Sequence, residues 1–189
     1  MIESYHKLYE VLDRMSDKLN CGTCGVCEND LIYLLPDEEP FFRKMGIDLI
    51  EVEGVHFLVK TPKDGQYCPF RDQQTRTCSI YNNRPAICRM FPLEIKETDE
   101  GYWWGMCLYC PKVSNSQNGF RESLIQHIPE IESCLSEEMK VFLGHADRVC
   151  SRIELVLGLP TKAALIRPMT INDFSPAVKS RLFYTTSSV

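Results

Sequence analysis

Three cysteines spaced two residues apart, Cys21, Cys24 and Cys27, form a C-x2-C-x2-C run, and five more follow at Cys68, Cys78, Cys88, Cys107 and Cys110. Two-residue gaps let successive thiolates curl around one ion or cluster, while remote cysteines complete the shell from elsewhere in the fold. Gly22 and Gly25 suit such a loop, because glycine permits positive φ and close backbone approach. Iron–sulfur ligation uses this local spacing together with a further cysteine followed by proline. That pair occurs twice here, at Cys68–Pro69 and Cys110–Pro111. Zinc would draw on the same donors as tetrahedral four-sulfur sites, and Cys107 with Cys110 has the C-x2-C form of a zinc half-site. Both metals therefore stay open. The iron–sulfur cluster, of the 4Fe-4S type and one or two per chain, is favoured over zinc by the triple run and the two Cys-Pro pairs. Eight thiolates at about four per closed site would make two centres.

A shell of four thiolates carries more negative charge than a zinc or ferrous ion offsets, so nearby cations reduce the repulsion and can hydrogen-bond the sulfurs. Arg71, Arg76, Arg84 and Arg89 lie among Cys68, Cys78 and Cys88 and are candidates for that role, with loop anchoring as the equal alternative. Cys134 and Cys150 fall at helical spacing among apolar residues and read as core thiols. His6, His56, His127 and His145 are scattered without a metal-ligand spacing. Trp103 and Trp104 are adjacent on an expected strand, which turns one inward and one outward. No single cysteine stands apart as a nucleophile, and no glycine-rich nucleotide loop follows a strand.

The elements that must position these thiols can be read from pattern. Tyr5, Leu8, Tyr9, Leu12, Met15 and Leu19 predict an amphipathic N-terminal helix beside the cysteine loop. Pro36 with Asp37, Glu38 and Glu39 predicts a short helix start leading into Phe41 and Phe42. Leu49 to Val59, interrupted by Glu53 and Gly54, predicts two short strands and a tight turn. A second hairpin is expected from Leu93–Lys96 and Tyr102–Trp104. Pro85 should start a short helix that carries Cys88 and ends at Pro92. Beyond a polar linker, Ser114 to Gly119, the chain should be helical to about Gly158, with one apolar stripe from Leu135 to Leu157.

The expected fold class is α+β: a small cysteine-rich core with β-hairpins, an N-terminal helix and C-terminal helices. Its organisation is one domain over 1–189, with a metal-binding core at 20–111, a helical appendage at 120–158 and an irregular tail at 160–189. A chain of 189 residues with 44% hydrophobic content supports one substantial core. The net charge of −5 and the lack of a Lys/Arg run argue against nucleic acid as a partner. No basic-then-apolar leader and no run of roughly 18 apolar residues is present, so a soluble cytoplasmic protein without a membrane partner is expected. There the thiols would be reduced ligands rather than a disulfide framework.

The run Cys68-Pro69-Phe70, then Cys78-Ser79-Ile80-Tyr81, Arg84-Pro85 and Cys88-Arg89-Met90-Phe91-Pro92, with Cys21, Cys24 and Cys27 upstream, resembles the YkgJ cysteine-cluster family of zinc- or iron-chelating proteins. The resemblance covers roughly Asn20 to Pro111 and implies metal chelation. Some relatives carry names such as Fe-S oxidoreductase, and the region is distantly similar to the cysteine-rich part of flagellin lysine methylases. The family's first group ends in a double cysteine, whereas Glu28 follows Cys27 here. Either Glu28 is an oxygen ligand or Cys107 or Cys110 supplies the sulfur; soft sites favour the sulfur. The two functional expectations are a redox or electron-transfer iron–sulfur protein and a zinc-stabilised protein-interaction module.

Overall fold

The computed structural model describes residues 5–19, 31–58, 68, 70–72, 74–75, 77–115, 119–158 and 163–169. The expected N-terminal helix is α1, His6–Leu19. Leu8, Val11, Leu12 and Met15 form its inward stripe and are buried. A single 3-10 turn, Pro36–Glu38, runs into α2, Glu39–Lys44. Strands β1, Leu49–Val52, and β2, Val55–Leu58, pair antiparallel. Glu53 at φ 51° and Gly54 at φ 77° turn the chain between them, and two consecutive positive φ values match the right-handed twist of a two-residue hairpin. The other edge of β2 is taken by the chain before α2: Leu34 N donates to His56 O at 2.9 Å and Leu58 N to Ile32 O at 2.9 Å.

Helix α3, Ala86–Met90, has Pro85 at its N-cap and stops at Phe91, ahead of Pro92. Pro85 thus lies one residue outside the position the sequence suggested, and the break at Pro92 is as expected. Strands β3, Leu93–Thr98, and β4, Gly101–Cys107, form the second hairpin. The tail differs from expectation: β5, Ala163–Pro168, pairs antiparallel with β4 and completes a sheet of order β3-β4-β5. Its short, weakly alternating sequence carries little periodic signal, and its pairing partner decides the conformation.

Among the described residues four helices lie between β4 and β5: α4, Pro111–Ser114; α5, Phe120–Ile125; α6, Ile128–Cys134; and α7, Glu137–Leu157. Ser136 Oγ accepts from Met139 N at the start of α7, and Gly158 at φ 65° ends it. Helix α7 lies on β3. Asp147 accepts from Lys96 Nζ at 3.0 Å and from Glu97 N at 3.1 Å, and Arg148 Nε donates to Glu97 at 2.5 Å. The approach requires a glycine, since a Cβ at Gly144 would sit 2.2 Å from the Tyr102 ring.

Two apolar clusters result. The larger joins α1, α3, the three-stranded sheet and the C-terminal helices through residues such as Leu12, Met90, Ile95, Trp104, Ile131 and Ala146. The C-terminal helices contribute Leu124, Ile128, Ile131, Leu143 and Ala146 to this core. The smaller consists of Ile32, Leu34, Phe42, Leu58 and Phe70. The architecture is α+β, with helices and two small antiparallel sheets.

Candidate metal centre

Of the eight expected ligands, Cys68, Cys78 and Cys88 pack against the smaller cluster, all three half-buried. Three different pieces of chain bring them there. The turn after Cys68 is closed by Arg71 N donating to Cys68 O at 3.3 Å, and Cys78 returns antiparallel to Arg71 as an isolated bridge. Ser79 N and Oγ both donate to Phe70 O, at 2.7 and 2.9 Å, and fasten the second arm of that loop to the first. Cys88 comes from the single turn of α3. Cys107 and Cys110 lie elsewhere. Both are buried, Cys110 within the larger cluster, and Cys110 N donates to Cys107 O at 3.4 Å. Cys21, Cys24, Cys27 and Glu28 lie outside the described residues, as do Pro69 and Arg76. Among the described residues, no three His, Cys, Asp or Glu side chains form a group able to hold a metal ion. The donors present are soft sulfurs set in an apolar surrounding, which suits zinc or iron.

The frame around Cys88 is polar and buried. Arg89, only 2% exposed, donates through Nε to Arg84 O at 2.9 Å, through Nη2 to Asn82 O at 2.6 Å and through Nη1 to Asp13 of α1. Its guanidinium also lies 4.7 Å from the Tyr9 ring centroid. Arg84 reaches Ser16 Oγ at 2.6 Å and Asp13 at 3.3 Å while stacking over Tyr81 at 3.8 Å. The two arginines are thus anchors between α3 and α1, the alternative that the sequence reading weighed against charge compensation at sulfur. The physical reason is that a buried guanidinium needs its donors matched, and Asp13 with two loop carbonyls matches them.

Glu38, fully buried, completes the frame. It accepts from Tyr9 Oη at 2.6 Å, Leu35 N at 2.8 Å and Ala86 N at 2.7 Å. Ala86 is the first residue of α3, so a carboxylate from a distant segment satisfies one of the donors that a helix start leaves open. Burial pushes the Glu38 carboxyl above its ordinary value, against the pull of these three hydrogen bonds. Burial and the adjacent Glu38 raise Tyr9 as well, so it stays a donor. Sequence reading assigned Glu38 only to a helix start and gave Asp13 no role. Their partners are 48 and 76 residues away along the chain, and the one sequence signal was a pair of carboxylates flanking apolar runs.

The remaining candidates behave as ordinary structure. His6 faces Glu10, His56 lies between Glu39 and Glu51, and His145 Nε2 meets Glu53 O at 2.9 Å. Cys150 is buried in the larger core and Cys134 packs against it. Trp104 is fully buried with Nε1 donating to Glu132 at 2.7 Å, whereas Trp103 is half-buried. No helix among the described residues is long and apolar enough to cross a membrane.

Comparison with known proteins finds one family. Residues 19–111 match the CxxCxxCC model, described as "Putative zinc- or iron-chelating domain". No curated protein and no solved structure matches the chain significantly. The matched stretch begins at the end of α1 and closes at Pro111, so it includes all eight clustered cysteines together with Glu38, Arg84 and Arg89, but not their α1 partners Tyr9, Asp13 and Ser16. Residues 19–111 thus match the CxxCxxCC family, the YkgJ type.

Proposed function

We propose that the protein binds its metal beside the smaller cluster, with Cys68, Cys78 and Cys88 joining Cys21, Cys24 and Cys27 as ligands, and that the bound species is an iron–sulfur cluster serving redox or electron transfer. The observation that carries this reading is the convergence of three half-buried cysteines on one small apolar cluster. Thiolates in such surroundings are desolvated, which strengthens their attraction to a cation and favours soft metals over calcium or magnesium. When bound, the cluster would supply one-electron chemistry, while this chain would hold the sulfurs and exclude water. Cys107 and Cys110 are a second thiolate pair, set against the larger core. They are the source of a further centre or of the sulfur that Glu28 replaces. The protein would work in a reducing, cytoplasmic setting.

The zinc-stabilised interaction module is the rival. Its closed sites would be colourless and without sulfide. Anaerobic purification of the full chain from iron-replete cells, followed by iron, zinc and acid-labile sulfide analysis, separates the two. Brown protein with near-equal iron and sulfide is expected; zinc without sulfide overturns the cluster. Cys78→Ser and Cys88→Ser should lose metal, and Cys150→Ser should keep it. Equal metal loading in all three variants would remove the ligand assignment.

A further inference from the structure

We propose that Asp13, Glu38 and Tyr9 are positioning residues of the metal centre, forming a polar strut that locks the Cys88 helix to α1 and so preorganises Cys88 for the metal. The inference rests on the reading of Cys88 and the Cys21–Cys27 loop as ligands. Three observations carry it. The start of α3 is held by Glu38, which is in turn held by Tyr9 of α1. The end of α3 is held through Arg89 by Asp13 of the same helix. Finally, α1 ends at Leu19, two residues before Cys21, so the element that grips Cys88 from both sides is also the one that leads into the C-x2-C-x2-C run.

A short helix of five residues has no rigidity of its own. Its direction must be set by what it is bolted to. Here both ends are bolted to α1 by hydrogen bonds of the buried Glu38 and Arg89, groups that are expensive to leave unpaired and therefore favour one geometry. Ligands held in position before the metal arrives lose less freedom on binding, and the metal leaves more slowly once bound. Loss of comparable outer supports at metal sites costs about 10–100-fold in affinity.

The test uses the full-length protein with zinc alone as the probe. Zinc affinity and release rate are measured by competition with a chromophoric chelator under reducing, anaerobic conditions, and cobalt substitution reports thiolate-to-metal absorption per bound ion. Asp13→Asn and Tyr9→Phe should release zinc about tenfold faster or more, with thiolate absorption per cobalt unchanged, because the ligands remain. Arg14→Ala, on the same helix but paired with exposed Glu130, should release zinc at the wild-type rate. Glu38→Gln should have the largest effect; should it fail to fold, Tyr9→Phe reads the same link. Wild-type release rates in Asp13→Asn and Tyr9→Phe, alongside lowered stability of the metal-free protein, would overturn the proposal and leave the strut purely structural. Failure of the underlying reading looks different: Cys88→Ser would then bind cobalt with undiminished thiolate absorption.

Discussion

The two apolar clusters are built on different principles. The larger gathers Trp104, Ile95 and Leu93 of the sheet with residues of α7 and the α1 stripe, and it is sealed by matched polar pairs such as Lys96 with Asp147. Among the described residues the smaller has five buried members, contributed by extended chain, one short helix, one strand and a loop, and Cys68, Cys78 and Cys88 pack against it beside Phe41, Ile47, Leu49 and Ile80. Burial of a few side chains offers only several kcal/mol, roughly 1.5–3 for each large apolar group, against about 1–2 kcal/mol lost per ordered backbone residue. The larger region should hold its fold from packing alone, and the smaller should depend on metal.

The strongest way to break this contrast is to remove the metal. Binding of a structural ion is worth about 10–16 kcal/mol in small thiolate domains, so a chelator in reducing buffer should abolish amide-exchange protection at Ile32, Leu34 and Leu58. Protection at β3, β4 and α7 should persist. Equal loss in both regions, read by hydrogen-exchange mass spectrometry, would end the distinction.

Large side-chain truncations come next. Phe42 is buried, with ring contacts to Phe41 at 5.2 Å and Phe70 at 6.2 Å between centroids. Phe42→Ala and Trp104→Ala should each cost about 3–5 kcal/mol. Only the first should also lower the metal content of the folded fraction, and combined denaturation and metal analysis checks this.

Gly144→Ala sharpens the comparison on the other side. Its Cβ would collide with the Tyr102 ring, forcing α7 off the sheet at a cost of about 1–3 kcal/mol. Metal occupancy should be unaffected. An unchanged urea midpoint would show that the ring moves aside without penalty.

The smallest effect concerns pH. Burial raises the Asp147 carboxyl above its ordinary value of 3.8, against the pull of Lys96. The folded state therefore binds this proton more tightly than the unfolded chain does. The contribution to stability is fully present below about 3.8 and is lost as pH rises through the higher folded value. Asp147→Asn should flatten that segment of the stability profile, with the remaining acid dependence intact. An identical slope in the variant, measured by denaturation at closely spaced acidic pH values, would assign the dependence to other carboxyls.

Much of the local structure was determined by sequence alone, because it depends on short-range rules. The stripe of α1, the Glu53–Gly54 turn, the β3–β4 hairpin and the break of α3 before Pro92 each follow from periodicity or from the backbone limits of glycine and proline. The cysteine spacing and the run around Cys88 were likewise enough to identify the chelating family. What the tertiary structure decided is everything that depends on partners far along the chain. It drew β5 onto β4, made the C-terminal helices part of the main core, and separated Cys68, Cys78 and Cys88 from Cys110. It also turned Arg84 and Arg89 toward Asp13 and buried Glu38 against Ala86. Charge on a side chain is visible in a sequence, but the group that neutralises it is chosen by which donors and acceptors are desolvated together, and that is settled only when the chain has closed on itself.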